Sequence, residues 1–280
     1  MKGEQFVVNR NITVIGYDNR TAIVYDMLTN DGYNVTAVNR KEDSFSISPG
    51  DIIIFPIPYK DASGKIKGTE LSLADISPKL NSTNLIILGK ADGAFADIAS
   101  RIGFEYIDIN EDKRFKILNA IPTAEAAVSI AMENTRYTMW GQHALVCGYG
   151  CIAKCLVKLL KGFGCDVTVS ARKQSDLYDA EYAGCRTVRI ENVADVMSEQ
   201  DIVFNTCPAL VLDKYALEKA KKQCMIIDLA SRPGGCDFDF AKKNKINAKL
   251  YLSLPDVYAP QSAGENMYKI ISSIIERHGA

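Results

Sequence analysis

The stretch Leu145-Val146-Cys147-Gly148-Tyr149-Gly150-Cys151-Ile152-Ala153 is a short apolar strand pattern that runs into G-x-G-x-x-A and then into a helical pattern. Each small residue has a physical task. Gly148 permits a tight turn, Gly150 lets backbone approach a pyrophosphate, and Ala153 lets the helix pack close to the strand. The N–H groups that open the helix then face the phosphates. A strand pattern precedes the turn, a helix follows it, and another strand pattern begins at Asp166. In that setting Gly148, Tyr149, Gly150, Cys151, Ile152 and Ala153 read as a dinucleotide site.

The strand pattern Asp166–Ser170 decides the cofactor type. A NAD site usually carries Asp or Glu at the end of this strand, to bond the ribose 2′-hydroxyl. Here the chain continues Ser170-Ala171-Arg172-Lys173, and no carboxylate comes before Asp176. Ser170 offers a hydroxyl to a 2′-phosphate, and Arg172 and Lys173 offer cations. The expected cofactor is NADP(H). Thr206, Cys207 and Pro208 follow a further strand pattern, Asp201–Asn205, and are expected beside the same cofactor.

Outward from this turn the chain repeats β-branched runs, turns and helical patterns, which is the signature of α/β folds with parallel sheets. Strands are expected at Ile12–Ile15, Tyr33–Val38, Asp51–Phe55, Asn84–Leu88 and Gly103–Asp108, with a helix at Thr21–Leu28. The polar segment Lys60–Lys79 reads as a long loop. Pro122 reads as the start of a helix that Thr123 caps and that runs to about Asn134. Beyond the glycine turn, helices are expected at Ile152–Phe163, Gln174–Ala183, Val193–Ser198 and Lys214–Lys221. Strands are expected at Thr187–Ile190, Met225–Asp228 and Lys249–Leu252. In the segment Ala263–Glu276, Met267, Ile270, Ile271, Ile274 and Ile275 form one helical stripe.

The expected architecture is two-domain α/β. A Rossmann-type, doubly wound parallel sheet carries NADP in the C-terminal half, and a smaller flavodoxin- or Rossmann-like domain precedes it. The boundaries read as 1–118 for the substrate-side domain, 119–138 for an interdomain helix and 139–260 for the NADP domain. The helix in 261–280 is expected to pack back on the first domain.

Composition narrows the function. The 280 residues include 33 Lys and Arg against 34 Asp and Glu, so the net charge is -1. That balance argues against a general nucleic-acid binder. No apolar run approaches a membrane span, and MKGEQFVVNRN lacks a signal-peptide core. A cytoplasmic protein is expected, and its 8 cysteines are expected to be free thiols. Cys147, Cys151 and Cys155 lie on strand, turn and helix and do not converge on a metal; no metal is expected. The 2 histidines, His143 and His278, leave few candidates for a histidine base.

Substrate residues are sought where strands end, because ligands of doubly wound sheets bind there. Asp228-Leu229-Ala230-Ser231-Arg232-Pro233-Gly234-Gly235 follows such a strand. Arg232 with Ser231 forms the first expected carboxylate clamp. Asp228 either orients Arg232 or accepts a proton. Thr123 and Asn119 are expected to form a second polar wall, and Glu125 is the other candidate proton acceptor. In the turn Gly16-Tyr17-Asp18-Asn19-Arg20, Asp18 reads either as a helix cap or, with Arg20, as a residue of the substrate cleft.

Four motifs occur here in one order: Asn119–Ala126 (NAIPTAEA), the glycine turn, Ile227–Gly235 (IDLASRPGG) and Leu254–Gly264 (LPDVYAPQSAG). Together with Ile15–Arg20 they resemble, over nearly the whole chain, the dipicolinate synthase family of spore-forming bacteria, in its dehydrogenase-type A component. Asp256, Gln261 and Ser262 depart from the family pattern. The resemblance implies an NADP-linked oxidation of dihydrodipicolinate to dipicolinate in the mother cell. It also implies a dicarboxylate substrate held in a cleft and, as partner, a second, flavoprotein-like subunit. Homo-oligomerisation stays open. The rival readings are an NADP-dependent 2-hydroxyacid-type dehydrogenase and a non-catalytic NADPH-binding partner protein. Enzymes of the 2-hydroxyacid dehydrogenase type generally use a histidine as base, and neither histidine here suits that role.

Overall fold

The computed structural model describes residues 10–39 and 45–278. The N-terminal stretch considered above as a signal sequence lies almost wholly outside them. The chain forms two compact units, Met1–Asn119 with Ala259–Ala280, and Ala120–Tyr258.

The first unit holds β1 (Ile12–Ile15), α1 (Asn19–Asn30), β2 (Val35–Val38), β3 (Ile52–Ile54), α2 (Leu73–Ile76), β4 (Leu85–Leu88), α3 (Gly93–Ile102) and β5 (Glu105–Asp108). Its strands form one sheet of order β2-β1-β3-β4-β5, every pair parallel. This is the flavodoxin-like winding, whose ligand crevice lies at the β1/β3 switch point. The central strands β1, β3 and β4 are buried at every position, as expected for strands covered on both faces. Their runs of Ile, Val and Leu therefore show no alternation.

Asp18 starts α1: its carboxylate accepts the Thr21 N–H at 2.9 Å, and the Thr21 hydroxyl answers the Asp18 N–H at 2.8 Å. The two bonds together form a capping box. The last helix, α10 (Pro260–His278), completes this unit's core. Its stripe of Met267, Ile270, Ile271, Ile274 and Ile275 joins Ile12, Val24, Leu28 and Ile52 in one apolar cluster. Each such side chain contributes about 1.5–3 kcal/mol on burial. Gly264 lets α10 approach α1 closely, since a Cβ there would stand 2.7 Å from the Ile23 side chain.

The second unit holds β6 (His143–Cys147), α5 (Cys151–Gly162), β7 (Asp166–Ala171), α6 (Gln174–Tyr182) and β8 (Arg186–Arg189). It continues through β9 (Ile202–Asn205), α7 (Lys214–Glu218), β10 (Met225–Asp228), α8 (Phe238–Lys243), β11 (Asn247–Leu250) and α9 (Leu254–Tyr258). The sheet order is β11-β10-β9-β6-β7-β8, again parallel throughout. Counted within the unit, this is the 3-2-1-4-5-6 order of dinucleotide-binding sheets, and its switch point falls between β6 and β9. The two-part α/β architecture read from the sequence is the one observed.

Several local expectations are corrected. The helix expected to start at Pro122 is α4 (Lys113–Asn134), with Pro122 inside it. Thr123 is therefore not a cap. Pro122 has no N–H to give the Leu118 carbonyl one turn back; the Asn266 side chain donates to that carbonyl instead, at 3.4 Å. Lys60–Lys79 is not a featureless loop. It carries two bridges, Lys60 to Ile66 and Lys65 to Ser72, then α2 and a short 3-10 turn at Ser77–Lys79. The helix expected at Val193–Ser198 is instead two 3-10 turns, Ile190–Asp195 and Met197–Glu199. Helices α3, α8 and α9 went unread. Among the described residues, no helix is long and apolar enough to cross a membrane.

Candidate dinucleotide site

The turn after β6 has the geometry that its glycines require. Gly148 adopts φ +94, and a Cβ there would stand 2.4 Å from the Thr206 Oγ1. Thr206 is held in place because both its N–H and its hydroxyl donate to the Cys147 carbonyl, at 2.9 and 2.8 Å. Gly150 caps α5 without any side-chain bond to the helix. Nothing lies within 4 Å of where its Cβ would be. The opening N–H groups of α5 thus face open space that any side chain at Gly150 would fill. Behind them, Ala153 is fully buried.

That space is part of a cavity of about 810 Å³. Gly148, Tyr149, Gly150, Arg172, Lys173, Thr206, Cys207 and Pro208, all read from the sequence as cofactor residues, line this one cavity. Cys151 and Ile152 open α5 beside it, half-buried. The residues present fit a dinucleotide: a side-chain-free cradle, an uncapped helix start and a cation-bearing strand end. Sequence reading missed Asp176, Ile190, Glu191 and Tyr215, which also line the cavity. Ile190 and Glu191 follow directly on β8, so their place after a strand end was the available signal.

Ser170 is a correction. It is fully buried, and β6–β7 register sets it opposite Cys147. Strand alternation turns it away from the cavity that Ala171 lines, so its hydroxyl does not reach a ribose phosphate. Ala171 occupies the cavity wall at the strand end and brings no carboxylate.

The thiols around the site are inert. Burial pushes Cys147 and Cys236 up to about 12 and Cys207 up to about 11. They are neutral near pH 7 and serve as small packing groups. Among the described residues, no group of His, Cys, Asp and Glu is arranged to hold a metal ion.

Asp228 ends β10 with no exposure. Its carboxylate accepts from the Asn205 amide at 2.9 Å, the Ala230 N–H at 2.9 Å and the Gly235 N–H at 2.7 Å. The Asn205 amide also donates to the Cys207 carbonyl at 3.0 Å. One buried carboxylate thereby ties the turn after β10 to the turn after β9. The expectation that Asp228 accepts a proton is corrected, because three donors already hold it away from solvent. Its work is to shape the exposed turn that presents Ser231 and Arg232. Gly235 is required there, since a Cβ would stand 2.4 Å from the Asn205 amide.

Glu125 is brought to a different place. It lines an open groove between α4 and α5 with Met132, Leu159 and Phe163. That groove shares no lining residue with the cavity at Gly148, so Glu125 is not on the wall of the dinucleotide cavity. Asn119 and Thr123 lie one turn apart on α4. His143 begins β6 at the end opposite the glycine turn. His278 ends α10, where it meets the Ile274 carbonyl and Glu105.

In the first unit, Asp18 and Arg20 are engaged with each other at 2.8 Å and nearly without side-chain exposure. Arg20 also donates to the Ile57 carbonyl. Lys67, which sequence reading passed over, reaches Asp18 at 2.8 Å. Burial alone would raise the Asp18 carboxyl. The Arg20 and Lys67 cations and the Thr21 N–H outweigh it and hold the group below the ordinary carboxylate value. These two residues build the turn after β1 at the switch point, rather than standing as open ligand groups.

Fold and cradle together define a dehydrogenase-type protein with a nicotinamide-dinucleotide domain. Residues 123–251 match the family model described as D-isomer specific 2-hydroxyacid dehydrogenase, NAD binding domain. Over nearly its whole length the chain is similar to the A component of dipicolinate synthase, as its motifs indicate. It is 27% identical to that protein of Bacillus subtilis (strain 168) over 245 residues, 85% of this chain and 82% of the relative. The crystal structure of the same dipicolinate synthase component from Bacillus halodurans superposes with a TM-score of 0.86 at 25% identity, covering 96% of this chain and 98% of that one. D-lactate dehydrogenase from Escherichia coli shares the fold, with a TM-score of 0.63 at 16% identity over 95% of this chain and 97% of that one.

Proposed function

We propose that the chain is the NADP-dependent dehydrogenase component of a dipicolinate synthase. It oxidises dihydrodipicolinate to dipicolinate in the mother cell of a sporulating bacterium, together with a second, flavoprotein-like subunit. The observation that carries this reading is the strand end Ala171-Arg172-Lys173 on the wall of the dinucleotide cavity, in a chain similar throughout to a dipicolinate synthase component. Cations at the end of β7, where a NAD site carries its acidic ribose ligand, favour a 2′-phosphate.

A nicotinamide dinucleotide held at Gly148, Gly150 and the start of α5 would supply a hydride acceptor for the dihydropyridine ring, which also loses one proton as it becomes aromatic. The chain's own residues bind and orient. Arg232 and Ser231 clamp one substrate carboxylate from the turn that Asp228 holds. Thr123 and Asn119 offer a hydroxyl and an amide to the other. Neither histidine stands at a strand end that faces a ligand, which disfavours oxidation of an alcohol and leaves the ring proton to water.

The test is direct. Purified protein, NADP and enzymatically generated dihydrodipicolinate should give absorbance signals for both NADPH and dipicolinate. Activity without a second subunit would exclude the non-catalytic reading. Turnover of 2-hydroxyacids in place of dihydrodipicolinate would overturn the proposal. Arg232→Ala should raise KM or abolish turnover and leave NADPH binding intact.

A further inference from the structure

Ala171, the last residue of β7, is in register with Arg189, the last residue of β8. The Arg189 guanidinium donates to the Arg172 carbonyl at 3.2 Å. Three cationic residues, Arg172, Lys173 and Arg189, therefore meet at two neighbouring strand ends. Some other exposed basic residues of this unit are taken up by carboxylates, Lys154 by Asp179 and Arg186 by Glu199. Among the described residues, no carboxylate stands at ion-pair distance from any of the three.

Their charge has to be weighed against the acids on the same wall. Asp176, Glu191 and Asp213 also line the cavity that Arg172 and Lys173 line. Without Arg189 two cations face three carboxylates, and a dianionic phosphate meets no net attraction. Arg189 brings the cations level with the carboxylates and gathers all three cations at the ends of β7 and β8. Lys173 is also the N-cap of α6, and Asp176 stands in that helix's first turn, so the helix start carries both a cation and an anion.

We propose that Arg189 is a specificity-determining residue: it supplies the third cation at the adenosine 2′-phosphate and, through the Arg172 carbonyl, fixes the backbone from which Arg172 acts. This rests on the NADP reading above. An arginine suits both tasks, because its planar fork can hold a carbonyl with one N–H and a phosphate with others.

The experiment is equilibrium titration of the full chain with NADPH and with NADH, for the wild type, Arg189→Ala and Arg189→Lys. Wild type should bind NADPH more tightly. Arg189→Ala should weaken NADPH about tenfold, as expected for one charge-assisted contact, and leave NADH within about twofold. Arg189→Lys should fall between, since it keeps the charge and loses the fork. Adenosine 2′,5′-bisphosphate should lose affinity in step with NADPH, and 5′-AMP should not. Equal weakening of both cofactors, or no weakening of NADPH, overturns the role of Arg189 and leaves the NADP reading standing. Equal wild-type affinity for NADPH and NADH removes both.

Discussion

The Asn266 side-chain amide donates to the Leu118 carbonyl at 3.4 Å, and this is the carbonyl that Pro122 leaves without a helical N–H. A contact of this kind contributes about 1 kcal/mol. Asn266→Ala should therefore lower the urea midpoint by that equivalent. Pro122→Ala restores the helical donor, so in that background the Asn266→Ala loss should mostly vanish. Strictly additive midpoints in the double-mutant cycle would show that the two residues are not coupled.

The two glycines of the phosphate turn should fail differently. Gly148→Ala meets a positive φ and the Thr206 hydroxyl, so it should destabilise the second unit by about 1–3 kcal/mol as well as abolish cofactor binding. Gly150→Ala has open space before it. It should melt near the wild-type temperature yet bind dinucleotide about tenfold or more weakly, since its methyl enters the cradle. Calorimetric melting paired with NADPH titration separates the two. A Gly150→Ala protein with intact binding would count against the cradle.

Asp228→Asn replaces one carboxylate oxygen with an NH2, which then meets at least one of the three donors, Asn205, Ala230 and Gly235. The cost should be about 2–3 kcal/mol, seen as a lowered melting temperature. Dinucleotide affinity should fall with it, because the Cys207 turn is held through Asn205. Asp228→Asn with wild-type stability and lost turnover would instead return Asp228 to a chemical role.

The capping carboxylate of α1 makes the first unit acid-sensitive. Asp18 titrates below its ordinary value of 3.8 in the folded chain. A depressed carboxyl lends its full stability above the unfolded value and loses it as pH falls through the folded one. Lys67→Met removes one of the cations that depress it, so the folded value rises and acid unfolding begins at higher pH. Far-UV circular dichroism between about pH 5 and pH 2 reads this. An unmoved acid midpoint would mean that Lys67 does not hold Asp18.

The sheets were legible in the sequence because buried parallel strands are written as unbroken β-branched runs. Ile12–Ile15, Ile52–Ile54 and Met225–Asp228 needed no long-range knowledge. The glycine turn was legible because its backbone demands are local. The start of α4 was not. A proline inside a helix is tolerated only when some other group takes up the freed carbonyl, and here that group is Asn266, far along the chain. Ser170 misled for a related reason: its residue type suits a phosphate, but alternation along β7 turns it inward. Lys67 and Arg189 were missed because their partners, Asp18 and the Arg172 carbonyl, come from other strand ends.

The order of synthesis bears on α10. Five of its apolar residues complete the core beneath α1, yet they are made after the whole of Ala120–Tyr258. The sequence of the nucleotide-binding unit is complete before α10 is made, and until then Ile12, Val24 and Leu28 lack the cover that α10 gives them. The first part to be translated is thus the last to close. An interval with an open apolar face is the period in which a growing chain is most exposed to chaperones and to aggregation.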